Sequence, residues 1–252
     1  MRFIMKFFDL EGNEISKKFF IDLYSKDYYL KETGAKGLIP GLRRSSEFIE
    51  KRIGEILEDG IQNQTDVGRI MAWKIGKIKH RESSNENRFV YAKGWENVEH
   101  SKTVKLYNDG FQIEEITSFI LSQNTTDNFD ISKAQELLNQ LKDKNFKRLG
   151  SVYMITLLYF LSQGEYPIYD RFAMMALAAI NSGTSPKQGE KTTVEVELKE
   201  LPSKESPRFK TIMDIEMGHY IQMLNDIFGA EWKTNRKIDQ ALWVYGHLFK
   251  MK

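Results

Sequence analysis

Apolar residues recur at helical spacing along much of the chain and predict a mainly α protein with a few short strands. One stripe lies in a predicted helix over 46–57, which Gly60 is expected to end. In the second half, residues 152–161 and 172–180 are apolar on nearly every face, as is typical of helices buried at the centre of a helical domain. A final predicted helix repeats apolar residues at the same spacing: Ile238, Ala241, Leu242, Tyr245 and Phe249.

Polar and alternating stretches predict the remaining elements. Residues 2–24 fit a short strand or hairpin followed by a helix, and 88–92 fit a short strand. The polar stretch 96–110 is compatible with a helix. Ser132, with Gln135 three residues later, resembles a capping box that begins another helix.

These elements favour a division into two regions. Residues 1–110 form an N-terminal, mostly helical region with short strand elements. Residues 111–252 form a helical region that contains a turn at 144–150 and a helix beginning near Asp170. An excursion at 182–208 carries one short strand, because its central segment alternates apolar and polar residues.

Composition narrows the classes of protein. The 37 basic and 35 acidic residues nearly balance, so any nucleic-acid surface must be local. The absence of cysteine excludes disulfides, thiolate zinc sites and cysteine-bound iron–sulfur clusters. The four histidines show no metal spacing, so we expect neither metal nor cofactor. The longest apolar run is far shorter than the ~20 residues of a membrane span, and the N-terminus does not resemble a signal peptide. We therefore expect a cytoplasmic protein with no membrane partner.

The most informative segment is Lys144 to Leu177. It contains a basic turn that ends at Gly150, an apolar helix, a loop from Gly164 to Pro167, and Asp170 before a second apolar helix. This order resembles the helix-hairpin-helix DNA glycosylase superfamily. The resemblance implies a helical fold with a degenerate hairpin that binds the DNA backbone, and it places Asp170 at the position of the catalytic carboxylate.

Asp170 has two compatible roles. An aspartate at this position is a natural helix N-cap, because its carboxylate accepts hydrogen bonds from the first-turn amides. A carboxylate held there can also stabilise the positive charge that develops on a sugar, and it can orient or deprotonate the attacking water. Capping alone would explain why an aspartate occurs at position 170.

The turn before the first apolar helix supplies the expected DNA contacts. Gly150 matches the second glycine of the family's hairpin, where backbone amides approach a phosphate. The first glycine and the usual proline are missing, and Lys147 and Arg148 are expected to contact phosphates instead. An ordinary solvated turn between two helices is the alternative.

Two further segments, one just after the turn and one before it, resemble or depart from segments of the family that take part in the reaction. Bifunctional members of the family carry a lysine nucleophile just after the hairpin, whereas this chain has Val152 and Tyr153, so the resemblance implies a water-using, monofunctional enzyme. Gln123 and Asn124 are candidates for the side chain that fills the gap left by a flipped nucleotide. These two residues lie much closer in sequence to Asp170 than the corresponding segment of the family lies to its catalytic aspartate. The alternative is that they form an ordinary helix C-terminus with no function.

The most basic stretch, residues 73–81, includes Lys74 and Lys77 and is a candidate surface for phosphates or simply a solvated face. Trp243 and Tyr245 lie in an apolar stripe and are expected in the core. The sequence thus favours a DNA-binding protein of the DNA-repair type, a candidate monofunctional DNA glycosylase that hydrolyses the N-glycosidic bond of a flipped base in duplex DNA. A non-catalytic DNA-binding or protein-interaction module on the same scaffold is the main alternative. A helical structural protein in which Asp170 is only a cap is the third.

Overall fold

The computed structural model describes twelve segments of the chain, separated by gaps: 5–28, 37–39, 42, 45–74, 76–83, 86–92, 103–106, 109–112, 151–164, 166–187, 189–196 and 216–252. Within these segments the helices are α1 (Lys17–Asp27), α2 (Glu47–Asp59), α3 (Gln64–Lys74), α4 (Ser151–Leu161), α5 (Arg171–Ser182), α6 (Met217–Phe228), α7 (Glu231–Thr234) and α8 (Arg236–Gly246). The strands are β1 (Phe7–Phe8), β2 (Glu14–Ile15), β3 (Ile78–Ser83), β4 (Glu86–Tyr91), β5 (Thr103–Leu106), β6 (Asp109–Gln112), β7 (Thr192–Val194) and β8 (Phe249–Met251). The strands pair two by two, so the prediction of a mainly α protein with a few short strands is confirmed.

The chain divides into two compact units. Unit 1 consists of residues 1–44, 168–202 and 210–252, and unit 2 consists of residues 45–167 and 203–209. Both units draw residues from either side of position 110.

Unit 1 is organised around α8, which packs against both α1 and α5. Its aromatic core is formed where α1 meets α8: the Tyr245 ring centroid lies 5.0 Å from that of Phe20 and 4.9 Å from that of Tyr24. Tyr245 is therefore a core residue, as predicted. β7 runs parallel to β8, with Thr192 opposite Phe249.

Local signals explain where the helices of unit 1 begin and end. The Ser16 side chain accepts a hydrogen bond from the Phe19 amide at the start of α1, and Asn235 accepts one from the Lys237 amide at the start of α8. Gly183 ends α5 in the left-handed region, at φ 65°.

In unit 2, α3 packs against α2 and α4, and β3 pairs with β4 as an antiparallel hairpin. α2 begins at the Ser46 cap and ends at Gly60, whose φ is 75°, so the end predicted at Gly60 is confirmed. The Trp73 indole donates a 2.6 Å hydrogen bond to the buried Glu50 side chain. This bond joins α3 to α2 inside the unit.

The apolar helices predicted over 152–161 and 172–180 are α4 and α5, which belong to unit 2 and unit 1 respectively. Both helices are buried as expected, with the following side chains at most 1% exposed: Leu157, Leu158, Phe160, Met174, Ala176 and Leu177. The strand predicted within the 182–208 excursion is β7. The helix predicted after Ser132 lies outside the described residues.

The helical interpretation of 96–110 is wrong for its described part. Thr103–Leu106 is strand β5, which pairs antiparallel with β6. Thr103 and Val104 are β-branched, and Gly110 follows within a few residues, so a local hairpin is favoured over a helix. Among the helices that the structure describes, none is long and apolar enough to cross a membrane.

Candidate active site

Asp170 lies in unit 1 at the start of α5, as its N-cap. Its backbone is extended, with φ −130° and ψ 140°, and its Oδ1 accepts a 2.8 Å hydrogen bond from the Phe172 amide. The side chain is half-buried. The predicted cap is confirmed, and it holds the carboxylate at the positive end of the helix dipole.

The segment that leads into Asp170 is anchored to α6. Tyr169 is fully buried, and the Tyr220 hydroxyl donates a 3.3 Å hydrogen bond to the Ile168 carbonyl. Burial, and secondly the negative charge of Asp170, raise the pKa of the Tyr220 phenol. Tyr220 therefore remains a protonated donor, and it fixes the backbone two residues before the carboxylate.

His247 follows the C-terminus of α8 and lies beside Phe172. The two rings are stacked, with centroids 3.5 Å apart and planes 17° apart. Nδ1 of His247 is 2.7 Å from the Trp243 carbonyl oxygen. Because a carbonyl only accepts, Nδ1 carries a proton and donates it in this bond. The imidazole is thus fixed in orientation by α8 itself.

Several charges act on His247. Burial lowers its pKa below the usual value. The hydrogen bond to Trp243 and the negative charge of Asp170 oppose this by raising the pKa, while Lys191 and Arg171 lower it. Burial is the largest effect, so the pKa is lowered on balance and the neutral ring is favoured near neutral pH.

The stacked pair of His247 and Phe172 belongs to a longer row of aromatic contacts, which we name the aromatic ladder; the further ring pairs in it meet edge to face. At one end, the Arg171 Cζ lies 4.6 Å from the Phe172 centroid. Beyond His247, the Trp243 centroid is 4.3 Å from the imidazole, and the Tyr28 centroid is 5.3 Å from the indole. The members of the ladder, in order, are Arg171, Phe172, His247, Trp243, Tyr28 and Arg236. A cation therefore stands at each end of four rings.

The ladder requires a close approach of α8 to α5. A Cβ atom on Gly246 would overlap the backbone carbonyl group of Phe172. Only glycine allows this separation of the two helices, since every other residue carries that atom. Gly246 thus brings His247 against Phe172 and, through the Phe172 amide, close to Asp170.

The two ends of the ladder differ in charge environment. Arg236 forms an ion pair with Asp239, one turn further along α8. Arg171 is exposed, and no carboxylate in the part of the chain that the structure describes forms an ion pair with it. Lys191, which acts electrostatically on His247, is also exposed. The Arg171 end is therefore the basic end.

The other predicted site residues fall into two groups. Lys74 ends α3 in unit 2, and Lys77 precedes β3, with its amide donating a 2.7 Å hydrogen bond to the Ala72 carbonyl. Both lysine side chains are half-buried, and their assignment to DNA stays a prediction. The remaining candidates lie outside the described residues: Gln123, Asn124, Lys147, Arg148 and Gly150.

The sequence interpretation missed the neighbours of Asp170. Trp243 was expected in the core, but it is half-buried within the ladder. His247 was one of four scattered histidines, and its distance in sequence from Asp170 gave no sign that they approach each other. The only local signal was the Gly246–His247 pair at the end of an apolar helix. Among the described residues, no group of three or more His, Asp or Glu side chains is placed to hold a metal ion.

Comparisons of the chain with protein-family models, with curated proteins and with solved structures find no match.

Proposed function

We propose that the protein binds DNA and acts as a monofunctional DNA glycosylase, with Asp170 as the catalytic carboxylate. The observation that carries this proposal is the position of Asp170, half-buried at the N-terminus of α5 and bonded to the Phe172 amide. A fixed carboxylate interacts with developing positive charge without first having to reorganise. The aromatic ladder beside it provides rings of the kind that contact unstacked bases.

The reaction replaces one bond by another. The bond between the sugar C1′ and the base nitrogen breaks with its electron pair on the base, and a water oxygen bonds to C1′. Asp170 stabilises the cationic sugar between these events and takes a proton from the water. That proton ends on the departing base, so the products are a free base and an abasic site.

The residues at the expected nucleophile position support a hydrolytic reaction. Where the resemblance would place a lysine, the chain carries Val152 and Tyr153, and neither forms a Schiff base with a sugar. The enzyme is therefore expected to leave the DNA strand intact at the abasic site. Strand cleavage then requires added alkali, and borohydride traps no covalent adduct.

DNA contacts are proposed at the turn 144–150. Lys147 and Arg148 would contact phosphates beside Gly150, and Lys74 and Lys77 would add to the basic surface. Gln123 and Asn124 would fill the gap left by a flipped nucleotide. Reversing the charges of Lys147 and Arg148 should weaken binding to every duplex sequence similarly, because phosphate contacts carry no sequence information.

The proposal is tested by incubating the purified chain with a panel of duplexes that each carry one damaged or modified base. Release of a base, revealed as an abasic site after alkali, is the expected result, and Asp170→Asn should lose it. Failure of the wild-type protein to bind duplex or single-stranded DNA, even at low salt, would exclude a DNA function.

A non-catalytic DNA-binding module is the second candidate. It is favoured by the missing first glycine and proline of the hairpin and by the missing lysine. Salt-dependent DNA binding without base release from any duplex in the panel would support this candidate over the enzyme.

A further inference from the structure

The basic end of the aromatic ladder combines a cation, the stacked rings of Phe172 and His247, and the Asp170 carboxylate. The Arg171 Cζ lies 4.6 Å from the Phe172 ring centroid, and the His247 ring stacks on Phe172 with the centroids 3.5 Å apart. Arg171 is exposed to solvent, so the ladder ends at the surface with a guanidinium as its last layer.

We infer that this end of the ladder binds a single unpaired nucleotide, whose base stacks on the Arg171–Phe172 layer while its phosphate pairs with Arg171. The inference rests on the proposed function for the choice of DNA as the partner. It adds the residues that select an unpaired over a paired nucleotide.

The guanidinium and the aromatic rings at this end determine which kind of ligand would bind. Unpaired bases stack on aromatic rings and on arginine guanidinium planes, whereas bases within a duplex have both faces covered by their neighbours. The exposed charges of Arg171 and Lys191 suit a phosphate. The Asp170 carboxylate accepts a hydrogen bond from the Phe172 amide, so it belongs to the same helix start as Arg171 and Phe172.

The opposite end of the ladder is less suited to a nucleotide. There the Arg236 side chain is half-buried and forms an ion pair with Asp239. Displacing that carboxylate would cost the ion pair, so a phosphate is bound more readily at Arg171.

Unit 1 contains a matched control pair outside the ladder. The Lys233 Nζ lies 5.8 Å from the Trp232 ring centroid on α7, so it is also a cation over an aromatic ring. Lys233→Gln removes a surface charge and a cation–aromatic contact without touching the ladder.

The experiment measures binding of three fluorescent probes: a paired duplex, the same duplex with one bulged nucleotide, and the single strand. The wild-type protein is expected to prefer the bulged duplex over the paired one by about 5-fold or more, which corresponds to one stacked base. Arg171→Gln should reduce this preference and lower the salt dependence of single-strand binding by a slope of about 0.7, the value for one phosphate. Phe172→Leu should reduce the preference with little change of slope, whereas Phe172→Tyr, which retains a ring, should preserve it.

Lys233→Gln should leave the preference for the bulged duplex unchanged. An unchanged preference in both Arg171→Gln and Phe172→Leu, or an equal loss in Lys233→Gln, would overturn the inference. If base release still depends on Asp170 in that case, the proposed function holds and only the inferred nucleotide site is wrong. If the wild-type protein binds none of the probes, both are wrong. Thermal unfolding of each variant identifies any loss that arises from misfolding, and the exposed position of Arg171 makes its variant the least sensitive to that problem.

Discussion

The close approach of α8 to α5 at Gly246 predicts that one added methyl group destabilises the protein. In Gly246→Ala the new Cβ would meet the Phe172 carbonyl carbon and oxygen, which are backbone atoms and cannot rotate away. The two helices must separate, and overpacking of this kind typically costs about 1–3 kcal/mol. The better helix propensity of alanine recovers at most about 1 kcal/mol. We expect a net loss of about 1–2 kcal/mol in the free energy of unfolding.

At two other positions, replacing glycine by alanine should instead increase the free energy of unfolding. Gly218, near the start of α6 in the same unit, has no atom within 4 Å of an added Cβ, and Gly54 within α2 is equally open. Alanine at either position should stabilise by about 0.5–1 kcal/mol, because it restricts the unfolded chain and favours the helix.

Urea denaturation followed by circular dichroism measures all three variants under the same conditions. A stability of Gly246→Ala equal to or above that of the wild type would refute the close packing of α8 on α5. It would also remove the basis for placing His247 against Phe172.

Two further predictions concern the pH dependence of stability in unit 1 and a buried hydrogen bond in unit 2. Because burial lowers the folded-state pKa of His247 below its unfolded value of about 6.5, the unfolded chain binds the additional proton. The stability that neutral His247 contributes is fully present above the unfolded-state pKa and is lost as pH falls through the folded-state pKa. The wild type should therefore lose more stability between about pH 7 and about pH 5 than His247→Gln does. Equal losses of stability in the two proteins would contradict this prediction. In unit 2, Trp73→Phe removes a 2.6 Å donor from the buried Glu50 carboxyl and should cost about 1.5–3 kcal/mol. Trp232→Phe, whose indole donates to the exposed Asn225 amide at 2.7 Å, should cost only about 0.5–1.5 kcal/mol, and denaturant unfolding compares the two.

Much of the fold was predictable because the signals are local. Ile53 and Ile56 repeat at helical spacing on the buried face of α2, and Gly60 marks its end. Asp170 stands two residues before an apolar run, where a capping carboxylate is expected, and it caps α5. In each case the residues that determine the element lie within a few positions of each other.

The surroundings of Asp170 were not predictable in the same way. His247 and Trp243 reach Phe172 only because α8 packs across α5, and that packing depends on a backbone contact at Gly246. A glycine near a helix end usually signals the end of the helix, so its role in close packing has no distinct pattern. The strand Thr103–Leu106 was missed because the polar character of residues 96–110 was given more weight than the β-branched Thr103 and Val104, and the pairing with β6 establishes the strand.

The central claim is that the Asp170 carboxylate is needed for chemistry and not only for capping. The most direct measurement is single-turnover release of the base that the wild-type protein excises, compared with release by Asp170→Asn. Asparagine keeps the size and a capping oxygen, so the free energy of unfolding should change by less than about 1 kcal/mol. Base release should nevertheless fall by about 10²- to 10⁴-fold, because the negative charge is lost, while DNA binding is retained.

Ser16→Ala provides the control for capping in the same unit. It removes the hydrogen bond to the Phe19 amide at the start of α1 and should cost about 1 kcal/mol of stability. Base release should remain at the wild-type rate, since α1 contributes no carboxylate to the reaction. A rate for Asp170→Asn that equals the wild-type rate would contradict the account, whereas a large loss confined to Asp170→Asn is the result that it predicts.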